Sequence, residues 1–145
     1  ATLTWTQQVL ASTTDVVKPV DTDKAGIKAG QPMLYPSARL LEEYIRAIPE
    51  GESRDIATMR RDLAARHGAH ATSLPTTRDR LLAIAEAVFD ELDDGALLRE
   101  VTPVWRVCIE HSDVLLSRLS FEPAFLFDLR AGERSHPEGI DRQAA

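Results

Sequence analysis

The chain has 145 residues, of which 43% are hydrophobic and 28% charged, so it can build one apolar core and does not read as disordered. The formal net charge of −6 opposes phosphate attraction, so nucleic-acid binding would need a local basic patch. The single cysteine, Cys108, excludes an intrachain disulfide and a cysteine-based zinc site, and no apolar run approaches the length of a membrane span.

Residues 1–35 read as an N-terminal arm with weak periodicity. In it "WTQQVLA" is either a short helix anchored by Trp5 or a segment resting on the surface. "DKAGIKAGQPM", with Gly26, Gly30 and Pro32, is a turn-rich stretch or an irregular strand. Regular patterning starts at "YPSARLLEEYIRAIP", which predicts a helix over 37–48 with Pro36 in its first turn. Leu40, Leu41, Tyr44, Ile45 and Ile48 form its stripe, and Pro49 and Gly51 end it. A second helix over 53–67 has Ser53 as its cap, Ile56, Met59 and Leu63 facing inward, and Gly68 as its stop. A loop with Pro75 separates it from a long helix over 77–94, capped by Thr77, with Leu81, Ile84, Ala85, Val88 and Leu92 inward and Gly95 closing it.

Apolar alternation at Val101, Pro103, Trp105, Val107 and Ile109 predicts a strand over 101–109. A polar turn at "EHSD" and a short apolar segment, "VLLSRLS", come next. The last helix, "EPAFLFDLRAG", takes Ser120 as its cap and Pro123 in its first turn. The division that results is an arm at 1–35, a domain at 36–132 and a flexible, polar tail at 133–145. The expected architecture is mainly α with a small β element, a helix-turn-helix elaborated into a winged helix.

Three segments in chain order carry a resemblance. "AIPEGESRDIATMRRDLA" resembles the "IPxGxxxTYxxIA" segment of the methylated-DNA cysteine methyltransferases and the alkyltransferase-like proteins, and "RLLAIAEA" is similar to that family's "RAVGxA" recognition-helix segment. "PVWRV" falls where the family has "PCHRV", or "PWHRV" in its non-catalytic relatives. The resemblance spans roughly 36–132 and implies a winged-helix domain that binds DNA and recognises alkylated guanine. It also implies that the acceptor cysteine position is Val104 and the activating histidine position Trp105. A valine cannot attack an alkyl carbon and an indole cannot act as the base, so cysteine alkyl transfer is excluded. The family's tyrosine falls on Ile56.

The resemblance therefore leads to the expectation of a non-catalytic alkyltransferase-like DNA-binding protein, not an enzyme, with no cofactor and no metal. On the same basis Arg80 would intrude into an alkylated duplex, and Ala83 and Ala87 on its helix face would let the helix approach a minor groove. Arg54 and Arg60, in the basic stretch shared with Arg61 and Arg66, would position phosphates. Val104, Trp105 and Arg106 would line the lesion pocket, with Arg106 tying neighbouring loops together. The plainer readings are a core Trp105, a salt-bridging surface Arg80 and a solvated basic helix face. A reading from another class is a protein-interaction or regulatory module that keeps the fold without DNA affinity; the acidic balance and the missing tyrosine favour it, and Asp79, Glu86 and Asp90 near Arg80 would repel phosphates.

His67 and His70 lack a cysteine or carboxylate at ligand spacing, and His111 and Ser112 lack an acid partner, so neither a metal site nor a hydrolytic triad is expected. The N-terminus carries no basic segment followed by an apolar one, which points to a cytoplasmic protein without a membrane partner.

Overall fold

The order of the elements is set by where the chain can cap a helix or must turn. The structure, a computed structural model, describes residues 5–11, 14–23 and 26–135. In chain order it holds α1 (Trp5–Ala11), β1 (Val16–Pro19), β2 (Pro32–Tyr35), α2 (Ala38–Arg46), β3 (Arg54–Asp55), α3 (Ile56–Arg66) and β4 (Ala71–Thr72). Then come α4 (Leu74–Asp93), two 3-10 turns at Leu98–Glu100 and Val104–Arg106, β5 (Val107–Cys108), α5 (Val114–Ser117) and α6 (Ala124–Ser135). The protein is mixed α/β and mainly helical, with small sheets.

Each of the three longer internal starts is fixed by an oxygen that takes up an orphaned N–H. Ser37 Oγ accepts from Leu40 N at 3.1 Å and opens α2, which puts Pro36 outside the helix rather than in its first turn. Asp55, not Ser53, caps α3, its carboxylate accepting from Thr58 N at 2.6 Å. Ser73 caps α4 in place of Thr77, and Pro75 sits in the first turn, where its missing N–H would have had no helical partner. Thr77 is instead buried in that helix and donates to Ser73 O at 2.7 Å. Ser120 does not cap the last helix either, because its N–H and hydroxyl both bond the Glu86 carboxylate of α4.

The arm contributes α1 and a β-hairpin. β1 and β2 pair antiparallel with Val16 opposite Tyr35 and Pro19 opposite Pro32, and β2 pairs in parallel with β4. A second sheet pairs β3 in parallel with β5, setting Arg54 beside Val107 and Asp55 beside Cys108.

The strand expected over 101–109 is therefore reduced to Val107–Cys108. Pro103, with φ −76° and ψ 65°, starts a 3-10 turn in which Arg106 N bonds Pro103 O at 3.0 Å. Residues 101–105 are all buried, so the apolar spacing there reflects a buried coil, not one face of a sheet.

The core gathers Leu41, Tyr44 and Ile45 of α2, Met59 and Leu63 of α3, Leu81, Ile84 and Val88 of α4, and Val104, Trp105 and Leu115. α4 runs through the middle of this assembly. Residues 81–85 are buried without a break, with α1, α2, α5 and the Val104–Arg106 turn packed around the helix. The boundary placed at 132 falls inside α6, which continues past Gly132 to Ser135 and buries Glu133. Residues 136–145 of the expected tail lie outside the described residues.

Candidate nucleic-acid interface

α3 and β4 are joined by a short turn at Gly68, which adopts φ +64°, and they pack side by side. Arg60 Nε donates to Thr72 O at 2.9 Å, and the Thr72 hydroxyl donates back to Arg60 O at 2.7 Å. This reciprocal pair fixes the root of Arg60 at the side of a cleft of about 350 Å³. Alanines of α3 and of the following turn floor the cleft, and Arg60, Arg61 and His70 are its charged or titratable groups. No carboxylate lines it.

Burial pulls the Arg60 guanidinium below its usual pKa, and the nearby charge of Arg78 pulls it further the same way. Arg78 is held by Asp113 of the α5 cap, through bonds of 3.2 and 3.3 Å. Arg61 makes no hydrogen bond or salt bridge among the described residues and stands exposed. Arg60 spends its Nε–H on Thr72 O, and the remaining guanidinium donors of Arg60 and Arg61 can face an oxyanion with no carboxylate lining the cleft, although the charge of Asp55 is felt at Arg61.

The residues expected to touch DNA do not form one patch. Arg54 lies away from Arg60: it pairs with Glu52 at 3.3 Å and lines a separate hollow with Tyr44, Asp62 and Arg66. Ala83 is fully buried in the middle of α4, so no groove can reach it in this conformation, and Ala87 is half-buried. The cause is the packing around α4, in which small residues admit a neighbouring protein element rather than a nucleic-acid backbone. Arg80 is half-buried, makes no salt bridge among the described residues, and holds its Nε–H buried without an acceptor. Among the described residues it is not the salt-bridging surface arginine of the plainer reading.

Around the "PVWRV" segment, Val104 is fully buried and Trp105 is 2% exposed. Both are core residues, and the hollow that reaches this segment takes in Trp105 and Arg106 without Val104. Arg106 ties neighbouring segments together as its position suggests. Its Nε and one terminal nitrogen grip the Glu133 carboxylate at 2.8 and 3.0 Å, and the other terminal nitrogen bonds Ile48 O at 2.8 Å. Glu133 also accepts from the Trp105 indole N–H at 3.1 Å and from Gly51 N at 3.0 Å. Burial alone would raise the Glu133 pKa; the bonds from Arg106, Gly51 and Trp105 outweigh it and hold the carboxyl below its usual value.

Sequence reasoning assigns Glu133 to a tail and misses this carboxylate, whose only local signal is the apolar run "AFLFDL" that carries α6 towards it. The basic side of the α3–β4 cleft is legible in the adjacent Arg60 and Arg61. His70, weighed as a metal ligand, turns up in that cleft instead. Among the described residues, no three or more His, Cys, Asp or Glu side chains gather as a metal set, and no helix is long and apolar enough to cross a membrane. Compared with known proteins, the chain matches no family model, no curated protein and no solved structure.

Proposed function

We propose that the protein is a non-catalytic, alkyltransferase-like DNA-binding protein that meets the duplex through the α3–β4 face. The observation that carries this reading is the cleft that collects Arg60, Arg61 and His70 with no lining carboxylate, beside Arg78, in a chain of net charge −6. So local an excess of guanidinium groups suits phosphate contacts, which position a protein on DNA without reading sequence. The helix-turn-helix of α3 and α4 is the winged-helix part of the proposal. Where a wing would come after α4, the chain has 3-10 turns and short helices, and its hairpin comes before α2. Recognition of alkylated guanine rests on the resemblance and on Arg80, whose Nε–H has no internal acceptor.

A second reading, a protein-interaction module without DNA affinity, is favoured by one observation. Residues 81–85 of the would-be recognition helix are all buried.

One titration separates the two. Labelled duplexes with and without O6-methylguanine are titrated at two salt concentrations. Arg61→Ala should weaken both duplexes alike and make the salt dependence shallower by about one unit of slope. Arg80→Ala should weaken the lesion-bearing duplex more than the plain one. Folded protein that binds neither duplex at low salt overturns the DNA reading and leaves the interaction module.

A further inference from the structure

A second cleft, of about 270 Å³, shares no lining residue with the α3–β4 cleft. It opens between the C-terminal end of α2 and the two 3-10 turns, and its chemistry is layered. Leu98, Val101, Pro103 and the edge of Trp105 make an apolar floor, while Arg46, Arg99, Arg106 and Glu50 stand around it.

The three guanidinium groups are engaged to different degrees. Arg106 is neutralised by the bidentate bond to Glu133 and is only 13% exposed, so it serves as a rigid wall. Arg46 spends one N–H on the Thr102 hydroxyl at 2.9 Å, and that hydroxyl in turn donates to Glu42 at 2.9 Å, so one edge of its guanidinium is committed to the protein. Arg99 has no hydrogen bond or salt bridge among the described residues, and the adjacent Glu100 does not supply one. Its carboxylate is turned back onto Leu97 N at 2.7 Å, closing the 3-10 turn that presents Arg99. With Arg106 neutralised, two arginines face one glutamate around an apolar floor, a balance that fits a single negative charge on an apolar body.

We infer that this cleft is a binding site for a small organic carboxylate. Its carboxylate is taken by the planar forks of Arg99 and Arg46, and its apolar body lies on Pro103, Val101 and Leu98 against the indole of Trp105. The assignment is independent of DNA binding, because it uses another face and another ligand.

Trp105 makes the site readable. In a Trp5→Phe background Trp105 is the only tryptophan, and its emission is followed while benzoate is added. A saturable change is expected at roughly millimolar benzoate, as befits a small and open site. Arg99→Gln should weaken that response about tenfold or more, whereas Arg61→Gln in the other cleft should leave it unchanged. Circular dichroism confirms that the exposed substitutions leave the fold intact. Benzylamine, of the same shape and opposite charge, should give no saturable response. The inference is overturned if benzoate gives none, if Arg99→Gln responds like its parent, or if benzylamine works as well. Phenyl phosphate binding more tightly than benzoate would overturn the choice of a carboxylate, and inorganic phosphate competing as well as benzoate would overturn the role of the apolar floor.

Discussion

Glu133 accepts hydrogen bonds from Gly51, Trp105 and Arg106, all far from it in the chain, and its side chain is 2% exposed. Removing its charge leaves the Arg106 guanidinium enclosed without a counter-ion. Glu133→Gln should therefore destabilise the protein by about 3 to 5 kcal/mol in urea denaturation. Replacing both partners together, as Glu133→Leu with Arg106→Met, should cost less than Glu133→Gln alone, because no charge is then stranded. The folded carboxyl is held below its ordinary value of 4.5, so its contribution is present above that pH and is lost as pH falls through the lower folded value. An acid-denaturation curve of Glu133→Gln should be flatter below pH 4.5 than that of the parent. Tyr44 has the opposite sign. Burial, then the 2.6 Å bond to Asp62 and the charge of that carboxylate, push its phenol up to about 12, so its contribution is lost only as pH rises from 10 towards that value. Absorbance titration should find Tyr44 ionising near 12, and Asp62→Asn should bring it down. Cys108, half-buried on β5, should keep its mass after incubation with DNA carrying O6-methylguanine, since the resemblance to the alkyltransferases implies an acceptor position at Val104, not at Cys108.

At the scale of the elements, the helices were legible because their apolar spacing and stop signals are local. Leu41, Ile45, Met59, Leu63, Leu81, Ile84 and Val88 are all buried where the stripes put them, and Gly68 and Gly95 end their helices at φ +64° and +98°. The caps differ from the expected residues where two polar residues compete within a few positions. Asp55 wins over Ser53 and Ser73 over Thr77 by register against the helix N–H groups, which composition alone does not reveal. The strand expected over 101–109 differs for another reason: tertiary burial of a coil mimics a strand's apolar content. α1 tests how much of a helix rests on its neighbours. It has seven residues and one buried side chain, Val9; Trp5 is 45% exposed and is touched by Arg118, which pairs with Asp79 of α4. So short a helix does not persist in isolation. Its amides should exchange with deuterium much faster than those of α4, and Arg118→Ala should speed them further with little change in the midpoint of thermal unfolding.

Over the whole molecule, the acidic net charge is interrupted by two arginine-lined clefts that share no lining residue. The charge of −6 was legible from composition, and so was the run of Arg54, Arg60, Arg61 and Arg66. Which of these share a cleft was not, because β3 and the end of α3 bring Arg54 and Arg66 to the hollow beside Tyr44, whereas the middle of α3 brings Arg60 and Arg61 to the cleft beside β4. Arg99 and Arg46 lie far apart in sequence and meet only through the core. The edge strand β1 has its own charge logic. Val16 and Val17 are exposed, but Lys18 and Pro19 come at once after them, a cation and a residue without an N–H, which discourage pairing with another chain. Dilution through micromolar concentrations should leave the sedimentation coefficient unchanged, and Pro19→Val should be the substitution that promotes self-association.

The bond between Gly51 and Glu133 closes a loop of 82 positions, and those from Arg106 to Ile48 and to Glu133 span 58 and 27. During synthesis the chain emerges from its N-terminal end, so Gly51, Trp105 and Arg106 are all made before the carboxylate that joins them. A nascent chain can form α2, α3 and α4 from local contacts, yet it waits for α6 before the guanidinium has its counter-ion. Closure of so long a loop is slow relative to helix formation. The last turn of α6 thus acts as a late latch: a ribosome stalled just before Glu133 would hold a collapsed, helical but unlocked chain, open to proteases until that one carboxylate arrives.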